Sequence, residues 1–125
     1  MKKREAQFQT IFNQYLRKKK LFGYFELKQA RYGSLAFNAV KKHQIEGLRS
    51  ARMSGFVWKL SDEDSREKPF DCISVPPLMS YVVVNYTRRF YIITIYDFMA
   101  EMDSSERESL TEERAKKIST VAVSW

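Results

Sequence analysis

"GYFELKQA", residues 23–30, is the stretch on which the reading of this chain turns. Side chains alternate faces along a β-strand with a period of two. If the stretch is a strand, Tyr24, Glu26 and Lys28 share one face, and Phe25 and Leu27 share the other. The second face then belongs to a core, while a glutamate and a lysine stand side by side on the first. An E-x-K pair of this kind is either a self-paired patch of solvated surface or the polar part of a site. The residues around it decide between the two.

Upstream, residues 4–18 carry Phe8, Ile11, Phe12, Tyr15 and Leu16, an i, i+3, i+4, i+7 stripe that predicts an amphipathic helix ending near Gly23. Downstream, "RYGSLAF" (31–37) reads as a loop, with Ser34 or Asn38 available to cap a second helix. That helix runs to about Met53, with Phe37, Val40, Gln44, Leu48 and Ala51 on one stripe and Gly55 as its stop. The second half changes character. "GFVWKL" (55–60), "FDCISV" (70–75), "SYVVVNY" (80–86) and "FYIITIY" (90–96) are β-rich runs, and the last two predict a hairpin. They are separated by "SDEDSREK", "PPLM" and "TRR". "DFMAEM" (97–102) starts a short helix, and Ser109 with Glu112 fits a capping box for a final helix through about Ile118. The expected architecture is a mixed central β-sheet flanked by helices, an α/β fold in one domain over residues 1–125. Residues 103–125 are expected as a helical extension of it.

Composition narrows the class. With 44% apolar residues and 18 aromatics among 125, the chain can fill one core. No apolar run approaches the roughly 18 residues of a membrane span. "MKKREAQFQ" is basic but has no apolar segment of a secretory signal. A single cysteine, Cys72, excludes an intramolecular disulfide and a cysteine-based zinc site, so a reducing, cytoplasmic setting is expected. The net charge of +7 is unevenly spread. Residues 1–53 hold 13 Lys/Arg against 3 acids, whereas residues 54–125 hold 9 against 12. A basic half that includes "KKREA" (2–6) and "RKKK" (17–20) points to a polyanionic partner.

Against this background a few polar residues stand out. Glu5 lies three residues before Phe8, near the core-facing side of the first helix, where an acid also complements the helix dipole. Gln44 sits inside an apolar helical stripe beside His43, as a buried hydrogen-bonded amide or as part of a site. Asp71 interrupts the apolar strand "PFDCISV", where aspartate is a poor strand former. Together with Glu26 and Lys28 they suggest metal-assisted phosphodiester hydrolysis. A hard cation such as Mg²⁺ takes one or two carboxylates and keeps several waters. It polarises a phosphoryl oxygen and lowers the pKa of bound water. A lysine beside the ligand can position that water or stabilise developing charge.

"FELKQ", a helix containing "HQIEGL", and β-runs ending in "FYIITIYDFM" resemble the PD-(D/E)XK nuclease superfamily. Within it the chain is most similar to Holliday-junction resolvases of the RecU-like and phage-encoded kind, over roughly residues 4–100. The resemblance implies a restriction-endonuclease-like sheet, Mg²⁺ or Mn²⁺, and a homodimer acting on branched DNA in a bacterial or phage-infected cell. It assigns Glu5 to the helix glutamate, Glu26 and Lys28 to E-x-K, and His43-Gln44 to the helix pair. In the family an aspartate precedes E-x-K on the neighbouring strand, but here the first aspartate is Asp62. "KPFDCI" resembles the family's proline-apolar-Asp segment, so Asp71 is taken as the displaced ligand in preference to Asp62 or Asp64. The implied metal ligands are Glu5, Glu26 and Asp71, with Lys28 and Gln44 completing the catalytic set. Arg4, Arg17, Lys18, Lys19, Lys20, Gln29, Arg31, Lys41, Lys42 and His43 are the expected nucleic-acid contacts. Two other readings share these features. One is a nicking, restriction-like or end-processing nuclease. The other is a non-catalytic nucleic-acid-binding domain that contacts bases through Phe22, Tyr24, Tyr32 and Trp58.

The charge asymmetry yields a direct expectation. Affinity for DNA falls steeply with salt, with a logarithmic slope of about −0.9 per phosphate neutralised on duplex arms. A titration series across salt concentrations measures it, and a flat line would remove the polyanion argument.

Overall fold

Five successive residues of "SYVVVNY", Val82 to Tyr86, are buried, and a strand that hides both faces has to lie inside a layered structure. A computed structural model describes residues 2–60 and 68–125, with side chains from Ala6 onward. In chain order the elements are α1 (Lys2–Lys19), β1 (Tyr24–Gln29), β2 (Ser34–Ala36), a 3-10 turn (Phe37–Ala39), α2 (Lys42–Ser54), β3 (Phe56–Lys59) and β4 (Cys72–Val75). They continue with β5 (Ser80–Tyr86), β6 (Arg89–Thr94), α3 (Ile95–Ser104), β7 (Ser109–Thr111), α4 (Glu112–Ile118) and β8 (Val121–Ser124).

The main sheet has the order β1-β5-β6-β8. β1 runs parallel to β5, and the other two pairings are antiparallel. Helix α1 covers one face. Its stripe packs Phe8 and Phe12 against Phe25, Leu27, Val83, Phe90 and Ile92. Phe12 meets Phe25 and Phe90 edge-on, with ring centres 5.2 and 5.5 Å apart, so its truncation to alanine would cost about 3–5 kcal/mol. Helices α2, α3 and α4 cover the other face with Leu48, Phe98 and Ala115 against Val82, Val84, Tyr91 and Ile93. This is the expected mixed sheet flanked by helices.

Several local readings change. The loop expected over 31–37 contains β2, which pairs with β7 so that buried Leu35 faces buried Leu110. Ser34 is therefore in a strand and Asn38 in the 3-10 turn, and α2 begins later, with Lys41 as its N-cap. Strand β6 stops at Thr94, whose hydroxyl accepts from the Asp97 N–H and starts α3. Thr111 caps α4 in place of Ser109, accepting from the Arg114 N–H. Residues 103–125, expected as a helical extension, also contain two strands. β8 is the fourth strand of the main sheet, and Trp125 stacks on Phe8 while its indole N–H donates to Asn85 Oδ1 at 3.0 Å.

Between α2 and β5 the chain forms the β3–β4 hairpin, a separate two-stranded sheet whose strand β3 is exposed throughout. Gly55 makes the turn into it at φ +75°, and a side chain there would collide with the Val75 carbonyl. Only glycine fits both demands.

On the far side, α3 and α4 are joined by a buried carboxylate. Glu101 accepts from Arg114 Nε at 2.8 Å and from Nη2 at 2.7 Å. The Arg114 guanidinium holds the Glu101 carboxyl below its ordinary value of 4.5, against the opposing effect of burial. A lowered folded-state pKa means stability that is complete above the unfolded value and is lost as pH falls through the folded one. Glu101→Gln is therefore expected to lower the melting temperature at neutral pH, by an amount that shrinks as the solution is taken below pH 4.5. Thermal melts of both proteins across that range measure the difference. A gap independent of pH would show that the ion pair is not its source.

Candidate functional site

Register determines where the E-x-K pair points. In the parallel pairing Glu26 lies opposite Val82 and Lys28 opposite Val84, the two β5 residues that belong to the core on the α2 side. Phe25 and Leu27 pack under α1. β1 is the edge of the sheet, so the polar pair sits at an opening between the two helical layers. Lys28 Nζ is 3.5 Å from Glu26 Oε1, with the side chains 19% and 29% exposed. A partly exposed pair of this kind contributes about 0–1 kcal/mol. Folding energy alone is a weak reason for it.

Gln44 completes the group from α2. Its Nε2 donates to the same Glu26 Oε1 at 2.9 Å, and its Oε1 accepts from the Lys41 N–H at 2.8 Å. A helix start leaves backbone N–H groups without intrahelical partners, and a glutamine at the third position reaches back to satisfy one. That bond orients the amide, since its oxygen is committed to Lys41 and its nitrogen must face Glu26. Two side chains, Lys28 and Gln44, thus converge on one oxygen of the Glu26 carboxylate, and no hydrogen bond reaches Glu26 Oε2 from the described residues.

Two recesses flank the pair, one lined by Lys28 and the other by Glu26. A cleft of about 720 Å³ is lined by Lys28, Gln29, Arg31, Tyr32, Gln9 and Ser34, among others. A shallower recess of about 500 Å³ is bounded by Tyr24, Glu26, Gln44 and Phe56. Comparison with known proteins finds no family model, curated protein or solved structure that matches this chain. The reading of the site rests on its own geometry.

The other expected residues divide. Asp71 precedes β4 on the hairpin, its side chain 87% exposed and 3.3 Å from Lys68 Nζ. The hairpin touches β1 at its other end, where the Tyr24 hydroxyl donates to Pro76 O at 2.8 Å. Strand geometry carries Asp71 about 13 Å from Val75 beside that contact. The contacts that join Glu26, Lys28 and Gln44 therefore do not include Asp71. Among the described residues no three His, Cys, Asp or Glu side chains come together as a metal site. Arg4 and Glu5 lie in the first turn of α1, and their side chains fall outside the described residues, as do Asp62 and Asp64 altogether.

Arg17, Lys18 and Lys19 form the last turn of α1, exposed, where cations also complement the helix dipole; Lys20 follows, exposed as well. Lys41, Lys42 and His43 are exposed at the start of α2. Arg31 is exposed on the turn after β1. Gln29 is committed to the fold: its Oε1 accepts from Asn85 Nδ2 at 2.9 Å, and its Nε2 donates to Asn85 O at 3.2 Å. Lys41 was expected only as a nucleic-acid contact, and its backbone role was missed. The signal for it is a glutamine three residues into a helix, hidden by placing the helix start too early.

The amide bridge can be tested apart from any activity. Gln44→Ala loses both bonds and is expected to destabilise the protein by about 1 kcal/mol. Gln44→Glu keeps the acceptor for the Lys41 N–H but sets a second carboxylate against Glu26, so its loss should be larger at pH 8 than at pH 5. Urea melts at the two pH values distinguish these outcomes.

Proposed function

We propose that the chain is a metal-dependent endonuclease that hydrolyses DNA phosphodiester bonds, with branched DNA such as the four-way junction as its substrate. The reading places it in the PD-(D/E)XK superfamily, near the RecU-like and phage-encoded resolvases. One observation carries it: Lys28 and Gln44, singled out with Glu26 for their residue types, converge on a single oxygen of the Glu26 carboxylate at the edge of the sheet.

The donor set suits a hard cation of the Mg²⁺ or Mn²⁺ kind, which is commonly held by one or two carboxylates together with waters and substrate phosphates. Glu26 would hold it through Oε2, and the bound ion would supply Lewis-acid polarisation of the phosphoryl group and a water of lowered pKa. Gln44 holds the other oxygen and so fixes the carboxylate plane. Lys28 keeps a positive charge 3.5 Å from Glu26, where it orients a water or offsets negative charge growing on the phosphate. The basic ends of α1 and α2 supply phosphate contacts, and a two-fold homodimer supplies two equivalent sites for paired incisions. The exposure of Asp71 favours one second reading, a non-catalytic domain that binds nucleic acid through the same basic surface.

Cleavage of a labelled four-way junction with Mg²⁺ and with EDTA separates the two readings. Lys28→Ala is expected to abolish cutting while leaving junction affinity largely intact, because one lysine adds little to a contact with many phosphates. Asp71→Asn, set beside Asp62→Asn and Asp64→Asn, tests the displaced ligand: loss of cutting and of metal-induced thermal stabilisation in Asp71→Asn alone would assign it the second carboxylate, although its side chain is 87% exposed. Normal cutting by Asp71→Asn would remove that residue from the metal site. Normal cutting by Lys28→Ala would reduce E-x-K to a surface pair.

A further inference from the structure

The turn that follows β1 is built with an ill-suited residue. Arg31 and Ser34 exchange both backbone hydrogen bonds, at 3.2 Å each, across the two-residue loop Tyr32-Gly33. Both loop residues have positive φ, +56° and +77°. This is the signature of a type I′ hairpin turn, whose first loop position favours asparagine, aspartate or glycine. A bulky side chain at positive φ is crowded by its own backbone. Gly33 answers that demand and Tyr32 does not. Nor does packing compensate, because Tyr32 is the most exposed of the large apolar residues, at 104% relative exposure. Folding gives no account of the ring.

Its position does. Arg31 and Tyr32 line the same cleft as Lys28, and none of the described residues lining it is an acid. A ligand suited to it carries negative charge for Lys28 and Arg31 and a flat π-face for the tyrosine, which describes a nucleotide. In continuous duplex the base faces are hidden by their neighbours in the stack. At a branch point, gap or single-stranded end a face is free. We propose that Tyr32 is a stacking post for one unpaired nucleobase and sets a preference for DNA with such a base over continuous duplex. The proposal rests on the nuclease reading above and adds to it the residue that selects the substrate. Gly33 and the two cross-turn hydrogen bonds hold the post in place, and Arg31 supplies a charge beside it.

The test uses the full-length protein with Tyr32→Asn and Tyr32→Phe. Asparagine suits the turn, so Tyr32→Asn is expected to melt at the same temperature as the parent or higher. Binding is measured in EDTA at one fixed salt concentration, to a four-way junction, a duplex with a short single-stranded gap, and a continuous duplex. 2-Aminopurine at the unpaired position reports stacking through its fluorescence. Stacking on an aromatic ring predicts that Tyr32→Asn loses roughly 5- to 150-fold in affinity for the gapped or branched DNA and none for duplex. Tyr32→Phe should bind and quench as the parent does. Unchanged affinity of Tyr32→Asn for unpaired DNA, or an equal loss on duplex, would overturn the proposal while Lys28→Ala still tests cleavage. A parent protein that binds none of these DNAs would overturn the nuclease reading and this proposal together.

Discussion

The parallel pairing of β1 with β5 is the constraint on which the rest of the molecule depends. Parallel neighbours cannot be joined by a tight turn and need a long crossover. The chain between residues 30 and 79 provides one, and α2 is the part that packs back on the sheet. The register of the same pairing decides the chemistry. A slip of one residue would turn every β1 side chain to the opposite face. Glu26 and Lys28 would then point into the aromatic cluster under α1, and Phe25 and Leu27 would meet the polar start of α2. The apolar residues of β1 therefore hold the polar ones in place.

Much of this was legible in the sequence where periodicity is long and strong. The α1 stripe, the two-sided apolar run of β5 and its hairpin with β6 are of that kind. Gln44 was legible as an oddity, a polar residue on an apolar stripe, and its bond to Glu26 gives the reason. The misread parts share a physical cause. β2 and β7 are three residues each and pair across more than seventy positions, so neither carries a local pattern of its own. Ser109 and Thr111 both offer a hydroxyl with an acid downstream, and the burial of Leu110 between them, which places Ser109 inside a strand, is a tertiary fact. The start of α2 was misplaced because Phe37 and Val40 are buried from a 3-10 turn and its end, which mimics helical spacing. The Asp71 reading came from an acid inside an apolar run and from the likeness of "KPFDCI" to the family's segment, and neither bears on where a hairpin points.

The two halves of the chain also divide their charges by use. Basic residues of the first half gather, exposed, at the end of α1 and the start of α2. Two acids of the second half serve the fold. Glu101 joins α3 to α4, and Glu112 Oε2 accepts from the Tyr91 hydroxyl at 2.7 Å. Burial first, and then the Glu112 carboxylate, pushes the Tyr86 and Tyr91 hydroxyls above their ordinary range. Both remain protonated donors, Tyr86 to Leu110 O and Tyr91 to Glu112.

The way the β3–β4 hairpin is attached has a mechanical meaning. It is tied to the body at one end, by the Gly55 turn and by the Tyr24 hydroxyl on Pro76, while Asp71 stands at the other. The hairpin is thus a cantilever with the aspartate near its tip. Over a reach of about 13 Å, an angular change of about 10° at the root displaces that carboxylate by about 2 Å, more than half the length of a hydrogen bond. Tolerance at the tip is therefore set by stiffness at the root, where a glycine turn and a tyrosine hydroxyl, neither of them charged, make the attachment.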